Sequence, residues 1–260
     1  MFRFLFVSLF FISIHSLLAQ VRISKLVIKA NEKYILDQSD ILVADTLIMM
    51  DSSTLVLNKL KLDNFIRARI ALFGNYCTIE GRGENGKPGR DGRPGNTPSG
   101  PCLDGTSGTN GSKGLDGTHG INLFLYLETI KIKGQLIIDL TGGKGGRGGS
   151  GGMGGGGSQG TIHCFGGNGQ NGGNAGPGAN GGIGGSLTLN SKKTAAANQW
   201  IGTKIVVRNN GGFAGSSGKP GYHGSAGLGP SKKNGKNGEP GLEGKEGLPG
   251  LPGSIKFESN

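Results

Sequence analysis

The stretch Gly142-Gly143-Lys144-Gly145-Gly146-Arg147-Gly148-Gly149-Ser150-Gly151-Gly152-Met153 decides how the rest of the chain is read. Glycine fills two of every three positions, while the third passes from Lys to Arg to Ser to Met. A left-handed extended chain with three residues per turn puts every third side chain on one edge. Two bare edges and one decorated edge describe a segment hemmed in by neighbours on two sides. Such a backbone has no internal hydrogen bonds, so its amides must find partners in adjacent segments. Ordering glycine costs conformational entropy, so several such segments must pack together to stay ordered.

Outward from this stretch, glycine recurs at every third position in blocks: Gly83 to Gly95, Gly105 to Gly120, Gly142 to Gly160, Gly166 to Gly185, Gly212 to Gly227, and Gly229 to Gly253 with Lys232 interrupting. The blocks pair across short turns at 96–104, 161–165 and Leu228, giving glycine pairs over 81–120, 142–185 and 211–253. Between pairs lie β-like segments, Ile121 to Thr141, Ser186 to Asn209 and Ser254 to Glu258. Gly120-Ile121-Asn122-Leu123, Gly185-Ser186-Leu187-Thr188 and Gly253-Ser254-Ile255-Lys256 each leave a glycine run and enter a strand. The unit strand, glycine run, turn, glycine run, strand thus occurs in three copies, at a spacing of about sixty residues.

Val21 to Ile79 is different. Leu26-Val27-Ile28, Ile41-Leu42-Val43, Leu47-Ile48-Met49 and Leu55-Val56-Leu57 are short apolar runs separated by Asp, Asn, Ser or Lys, the punctuation of short strands. The expected fold class is therefore all-β plus polyproline/polyglycine-II: a short-strand β base, solenoid or sandwich, carrying a six-helix antiparallel polyglycine-II bundle built from three repeats. The Gly-Gly-X blocks are expected at its centre and the other four at its periphery. The expected divisions are a signal peptide over 1–19, a β-rich region over 20–80 and the repeat region over 81–260. The alternative is a collagen-like homotrimer, since Gly235 to Gly253 and Gly86 to Gly95 both read as Gly-X-Y with proline.

The paired Gly-X-X runs, the Gly-Gly-X interior and the cysteines in the turns resemble the polyglycine-II bundle proteins, such as snow flea antifreeze protein and adhesins at phage tail-fibre tips. The resemblance is one of pattern, covers about 81–253, and implies architecture more than function. If the turns gather at one end of the bundle, Cys102 and Cys164 can form a disulfide, leaving Cys77 as the odd thiol.

Composition narrows the function. Of 260 residues, 55 are glycine, 34% are hydrophobic and 6% aromatic, too little apolar surface for an ordinary enzyme core. Proline, at 10 residues, is too scarce for full collagen. The net charge of +11 is uneven: residues 20–80 hold 8 Lys/Arg against 7 Asp/Glu, and 81–260 hold 19 against 10. An extended basic surface can hold acidic glycans, although no dense Lys/Arg cluster appears and nucleic acid is not an expected partner. Arg3, the apolar run Phe4 to Leu18 and Ala19 read as a secretory signal cleaved near Ala19. No later stretch is apolar enough to span a bilayer.

No catalytic constellation emerges, and no metal or cofactor is expected. His119, His163 and His223 are far apart, and the Gly-x-Gly-x-x-Gly matches are by-products of the repeat. Thr106, Thr109, Ser112 and Thr118 share one phase of the second block, with Leu115 interrupting, and form the hydroxyl face an ice-binding reading needs. Phe213 and Tyr222 in the fifth block are candidates for glycan stacking or partner contact. The expected function is a secreted, non-enzymatic structural or adhesive module, monomeric, whose partner is a cell-surface glycan or another extracellular protein. Trimerisation through Gly-X-Y and ice binding are the alternatives.

Overall fold

In a computed structural model the protein is described over residues 21–191 and 199–258; the expected signal peptide lies outside them. Among the described residues eleven strands form: β1 (Val21–Ile28), β2 (Lys33–Ile35), β3 (Ile41–Met49), β4 (Thr54–Val56), β5 (Asp63–Phe73), β6 (Cys77–Glu80), β7 (Asn122–Ile132), β8 (Leu136–Asp139), β9 (Leu187–Ser191), β10 (Ile205–Arg208) and β11 (Ile255–Glu258), with a 3-10 turn at Pro230–Lys232. Odd-numbered strands make one sheet in the order β1-β3-β5-β7-β9-β11, and even-numbered strands make the other in the order β10-β8-β6-β4-β2. All pairings within them are parallel. The chain therefore winds as a coil, placing one strand in each sheet per turn.

Alternation fixes which side chains face inward. In β5 and β7 the buried residues include Ile66, Ala68, Leu123, Leu125 and Leu127, with half-buried or exposed residues between them. Parallel register stacks like on like, so that Val21, Leu42, Ile66, Leu125, Leu189 and Phe257 form one ladder through the first sheet. Tyr34, Leu55, Ile79, Ile138 and Val207 form the facing ladder. The turns from first to second sheet are tight, and Asn31, Ser52 and Tyr76 adopt left-handed backbone there (φ 61°, 57° and 54°). The return turn before β5 is closed by a buried pair: Asn58 N–H donates to Asn64 Oδ1 (2.8 Å), and Asn64 Nδ2 donates to Asn58 O (3.1 Å).

The expected fold class is corrected by this topology. A β base carrying a separate six-helix antiparallel polyglycine-II bundle is not what forms. The glycine runs are neither α-helix nor strand; they are long excursions of the coil's own return turns, β6 to β7, β8 to β9 and β10 to β11. Each outgoing run prolongs the second sheet and each returning run prolongs the first, so the runs lie in two rows. Within a row neighbours are parallel: Gly86, Gly89 and Gly92 donate to Lys144, Arg147 and Ser150 carbonyls (2.7–2.8 Å), and Gly108 and Gly111 donate to Asn171 and Asn174 (2.9 Å). Antiparallel pairing occurs only between rows, as in Thr109 N–H to Arg93 O and Gly152 N–H to Thr109 O (2.9 Å each). The short turns in the sequence signal local reversal, but the stacking of strands dictates the direction of row neighbours.

Between the sheets the coil is filled by side chains. Between the rows nothing fills the gap, and backbone meets backbone. A Cβ on Gly143 would collide with the carbonyl of Glu84, and one on Gly142 with that of Gly182. This double contact explains Gly-Gly-X: one glycine edge faces the neighbouring arm and the other faces the opposite row.

Candidate interaction faces of the glycine arms

Three amide directions follow from this packing. In the run after β8, Gly142 donates to Asn210 O along the row (2.9 Å) and Gly143 to Thr118 O across the rows (2.9 Å). Lys144 N–H, the third, donates to the side chain of Asn85 on the preceding arm (2.9 Å). Ser150 N–H and Gly156 N–H find Asp91 Oδ1 and Thr97 Oγ1 in the same way. The returning row repeats the device more fully. Asn168, Asn174 and Asn180 each accept from the next arm through Oδ1, from Lys236, Leu242 and Leu248 N–H (2.8–2.9 Å), while their own N–H groups donate to Asp104, Asn110 and Asp116 (2.6–2.8 Å). The sequence reading missed these caps, although asparagine at a period of three residues over 168–180 was the available signal.

With the backbone so engaged, the outward side chains are what each face offers. On the outgoing row these are Lys144, Arg147 and Met153 from the second arm and Phe213, Lys219 and Tyr222 from the third, all exposed. Phe213 and Tyr222 are 78% and 73% exposed. Nine residues of extended chain set them roughly 28 Å apart, with Lys219 between. Arg147 approaches Asp91 of the first arm (3.7 Å).

The hydroxyl stripe sits elsewhere. Thr106, Thr109, Ser112 and Thr118 turn their oxygens to the first outgoing run, accepting from Asn96, Arg93, Arg90 and Glu84 N–H respectively (2.6–2.7 Å). These hydroxyls serve as backbone caps for an arm that no arm precedes among the described residues. They stand beside Lys87, Arg90 and Arg93 rather than on an open hydroxyl plane.

Cys102 and Cys164 form a disulfide, with Cα atoms 6.0 Å apart, joining the tips of the first two arms. Cys77 is free and buried at the start of β6. Its Sγ donates towards Met49 O (3.3 Å) or Met50 O (3.2 Å), and burial pushes the thiol above its usual pKa. The Asn75 N–H, with the Asn75 side chain, holds Asp51 below the usual carboxylate range, and the Asn180 N–H does the same for Asp116. His119 Nδ1 accepts from Ile183 N–H (2.9 Å) as another cap, and His163 is exposed in the second tip. Among the described residues no group of three His, Cys, Asp or Glu is placed to hold a metal ion.

Two of the hollows in the described surface stand out by position. One, of about 500 Å³, runs over the outer side of the first sheet past Ile41, Val43, Phe65, Arg67 and Tyr126, where Phe65 stacks on Phe124 (4.6 Å between centroids). The other, of about 320 Å³, fills the inner corner where the first arm leaves the coil and is lined by Lys59, Lys61, Arg82, Glu84 and Thr118. No helix of the described residues is long and apolar enough to cross a membrane.

No protein-family model matches the chain, and no curated protein matches it. Among solved structures it aligns with a springtail antifreeze protein from Granisotoma rainieri, a nine polyproline type II helical bundle whose crystal waters match the ice lattice. Identity is 24% over 63% of this chain and 94% of that one, at a TM-score of 0.14. A superposition of that quality carries no argument about fold or function.

Proposed function

We propose that this protein is a secreted, non-enzymatic adhesive module that presents its glycine arms as a rigid platform to a cell-surface glycan. The observation that supports this most directly is the network of row, cross-row and cap bonds that holds the arm backbone and leaves side chains as the variable surface. A platform so held loses little entropy on binding. Phe213 and Tyr222 supply two exposed rings on one face, with Lys144, Arg147 and Lys219 among them. Rings of this kind stack on the apolar faces of sugars and dominate recognition energetics. The disulfide between arm tips suits an oxidising compartment. Turning the glycine edges inward argues for a monomer, because a triple helix needs those edges free.

The test is binding of the full secreted chain to an array of neutral and acidic glycans, alongside the variant Phe213→Ala/Tyr222→Ala. We expect the double variant to lose binding at least about tenfold while its melting temperature stays within a degree or two. A wild-type chain that binds no glycan but separates melting from freezing in ice solutions would sink the adhesive reading in favour of ice binding. A threefold solution mass would sink the monomer.

A further inference from the structure

We propose a second, distinct binding track on the arms: a ladder of cations for a linear uronate polysaccharide, running outward from the inner corner along the first glycine run. The inference rests on the reading of the arms as a glycan-binding platform but assigns other residues and a chemical class. Lys87, Arg90 and Arg93 stand at one phase of the run and are all exposed. Three residues of extended chain separate successive members by roughly 9 Å. Their backbone is fixed, since Arg90 and Arg93 N–H donate to Ser112 Oγ and Thr109 Oγ1 (2.7 and 2.6 Å). Among the described residues none of the three side chains joins an ion pair, while the acid on the neighbouring phase, Asp91, is turned to Arg147.

The track has a defined inner end. At the corner hollow Lys59 and Lys61, on the turn before β5, meet Arg82 at the root of the arm. Arg82 is shared with Asp139 (3.8 Å), and Glu84 is the acid on the ladder's own phase. Cations outnumber acids here, in a concave angle between coil and arm where the low-dielectric walls strengthen the field. The hydroxyls of Thr109 and Ser112 flank the ladder; Thr109 Oγ1 turns its own hydrogen towards Arg93 O (3.4 Å), while Ser112 Oγ, which accepts from Arg90 N–H, keeps donor capacity towards a ligand. A polymer bearing one carboxylate per extended disaccharide presents its charges at a spacing commensurate with this ladder. A nucleic acid presents phosphates more densely, and no exposed aromatic residue stands on the ladder's phase to stack bases.

The experiment uses the full chain and immobilised hyaluronate, a linear polymer with one uronate carboxylate per disaccharide, at low salt. Lys87→Gln/Arg90→Gln/Arg93→Gln is compared with Lys236→Gln/Lys245→Gln/Lys256→Gln, which removes the same charge elsewhere. We expect the ladder variant to lose binding about tenfold or more and the control to stay within about twofold. Both variants should melt with the wild type, since the bonds that fix the ladder come from main-chain N–H groups. Equal losses in the two variants would overturn the proposal, because net charge alone would then suffice. So would no hyaluronate binding by the wild type, or displacement by oligo-dT at concentrations at which hyaluronate itself does not displace. If the Phe213/Tyr222 variant loses glycan-array binding while the ladder variant binds as wild type, the ladder fails and the platform reading survives.

Discussion

Adjacent glycines in the second outgoing run make a sharp test of the packing. Gly155 faces the first arm, and a Cβ there would collide with the backbone of Asn96 at distances no real Cβ adopts. Gly156 faces outward, where a Cβ would meet Ser225 O at 3.4 Å, Thr97 Oγ1 at 3.5 Å and Thr97 Cγ2 at 3.8 Å, ordinary contacts. Among described glycines only Gly202 has positive φ, so alanine is conformationally acceptable at both positions. For Gly155→Ala the first and second outgoing runs must part. Overpacking of this kind costs about 1–3 kcal/mol. The parting also stretches Gly95 N–H to Met153 O (2.7 Å) and Gly156 N–H to Thr97 Oγ1 (2.8 Å), adding about 1 kcal/mol each. The sum, roughly 3–5 kcal/mol, corresponds to a fall in melting temperature of about 10 °C for a chain of this size. Gly156→Ala keeps its N–H bond to Thr97 Oγ1 (2.8 Å). By restricting the unfolded chain it should be neutral or stabilising by up to about 1 kcal/mol. Thermal and urea unfolding of the two variants, made in parallel, decides the matter. If Gly155→Ala unfolds with the wild type, or if both variants lose equal stability, the first and second arms do not touch backbone to backbone.

Other expectations follow from the same contacts. Cys102→Ala/Cys164→Ala, or reduction, opens a loop of sequence separation 62 and should cost about 4 kcal/mol, read as a lower urea midpoint. Native protein should show no thiol reactive to iodoacetamide at pH 8, and denatured, unreduced protein should show one, Cys77, because the buried thiol is held protonated. Asn174→Ala removes the acceptor for Leu242 N–H and should cost about 1 kcal/mol in urea unfolding, whereas Asn174→Asp should cost less. The Asp116 pKa is depressed in the folded state, so its stabilising effect is complete above the unfolded value and is lost as pH falls through the folded one. Asp116→Asn, which keeps an Oδ1 acceptor for Asn180 N–H, should therefore flatten part of the stability loss below about pH 4; an unchanged acid profile would remove Asp116 from the account.

Much of this was legible because glycine at a period of three leaves few structural options. The joints at Gly120, Gly185 and Gly253 mark where strands β7, β9 and β11 are about to begin, and the apolar runs of residues 21–79 mark the short strands. Direction was not legible. The turns at 96–104 and 161–165 indicate that the chain reverses, but not that the two halves of each pair belong to different rows. That depends on which sheet each glycine run prolongs, a fact set by strands up to sixty residues away. The candidate faces were half legible: Phe213 and Tyr222 are exposed, yet the hydroxyl stripe of Thr106, Thr109, Ser112 and Thr118 proved to be occupied in capping. Its residue types suit a flat face and a cap equally well, and only the neighbour decides between them.

Proline offers the clearest case of a sequence signal whose meaning depends on that neighbour. Pro240, Pro249 and Pro252 make residues 238–253 look like collagen. In the fold they occupy one phase of the last returning run, the phase whose N–H would point along the row to a further arm. Pro220 holds the same phase in the last outgoing run. Pro88 and Pro94 hold the cap phase of the first outgoing run, where no described arm precedes to supply a side-chain acceptor. Pro177 holds the cap phase of the second returning run at the step opposite Lys113, whose ammonium cannot accept a hydrogen bond. Pro98 and Pro101 lie in the first tip and Pro230 opens the 3-10 turn. All 10 prolines thus stand in a tip or turn, or where a backbone donor would have no acceptor. A missing N–H is harmless at such a position and deters edge-to-edge growth. Read this way, the Gly-X-Pro triplets finish the two open sides of a stack of arms, and they favour a chain that closes on itself over one that recruits two copies into a triple helix.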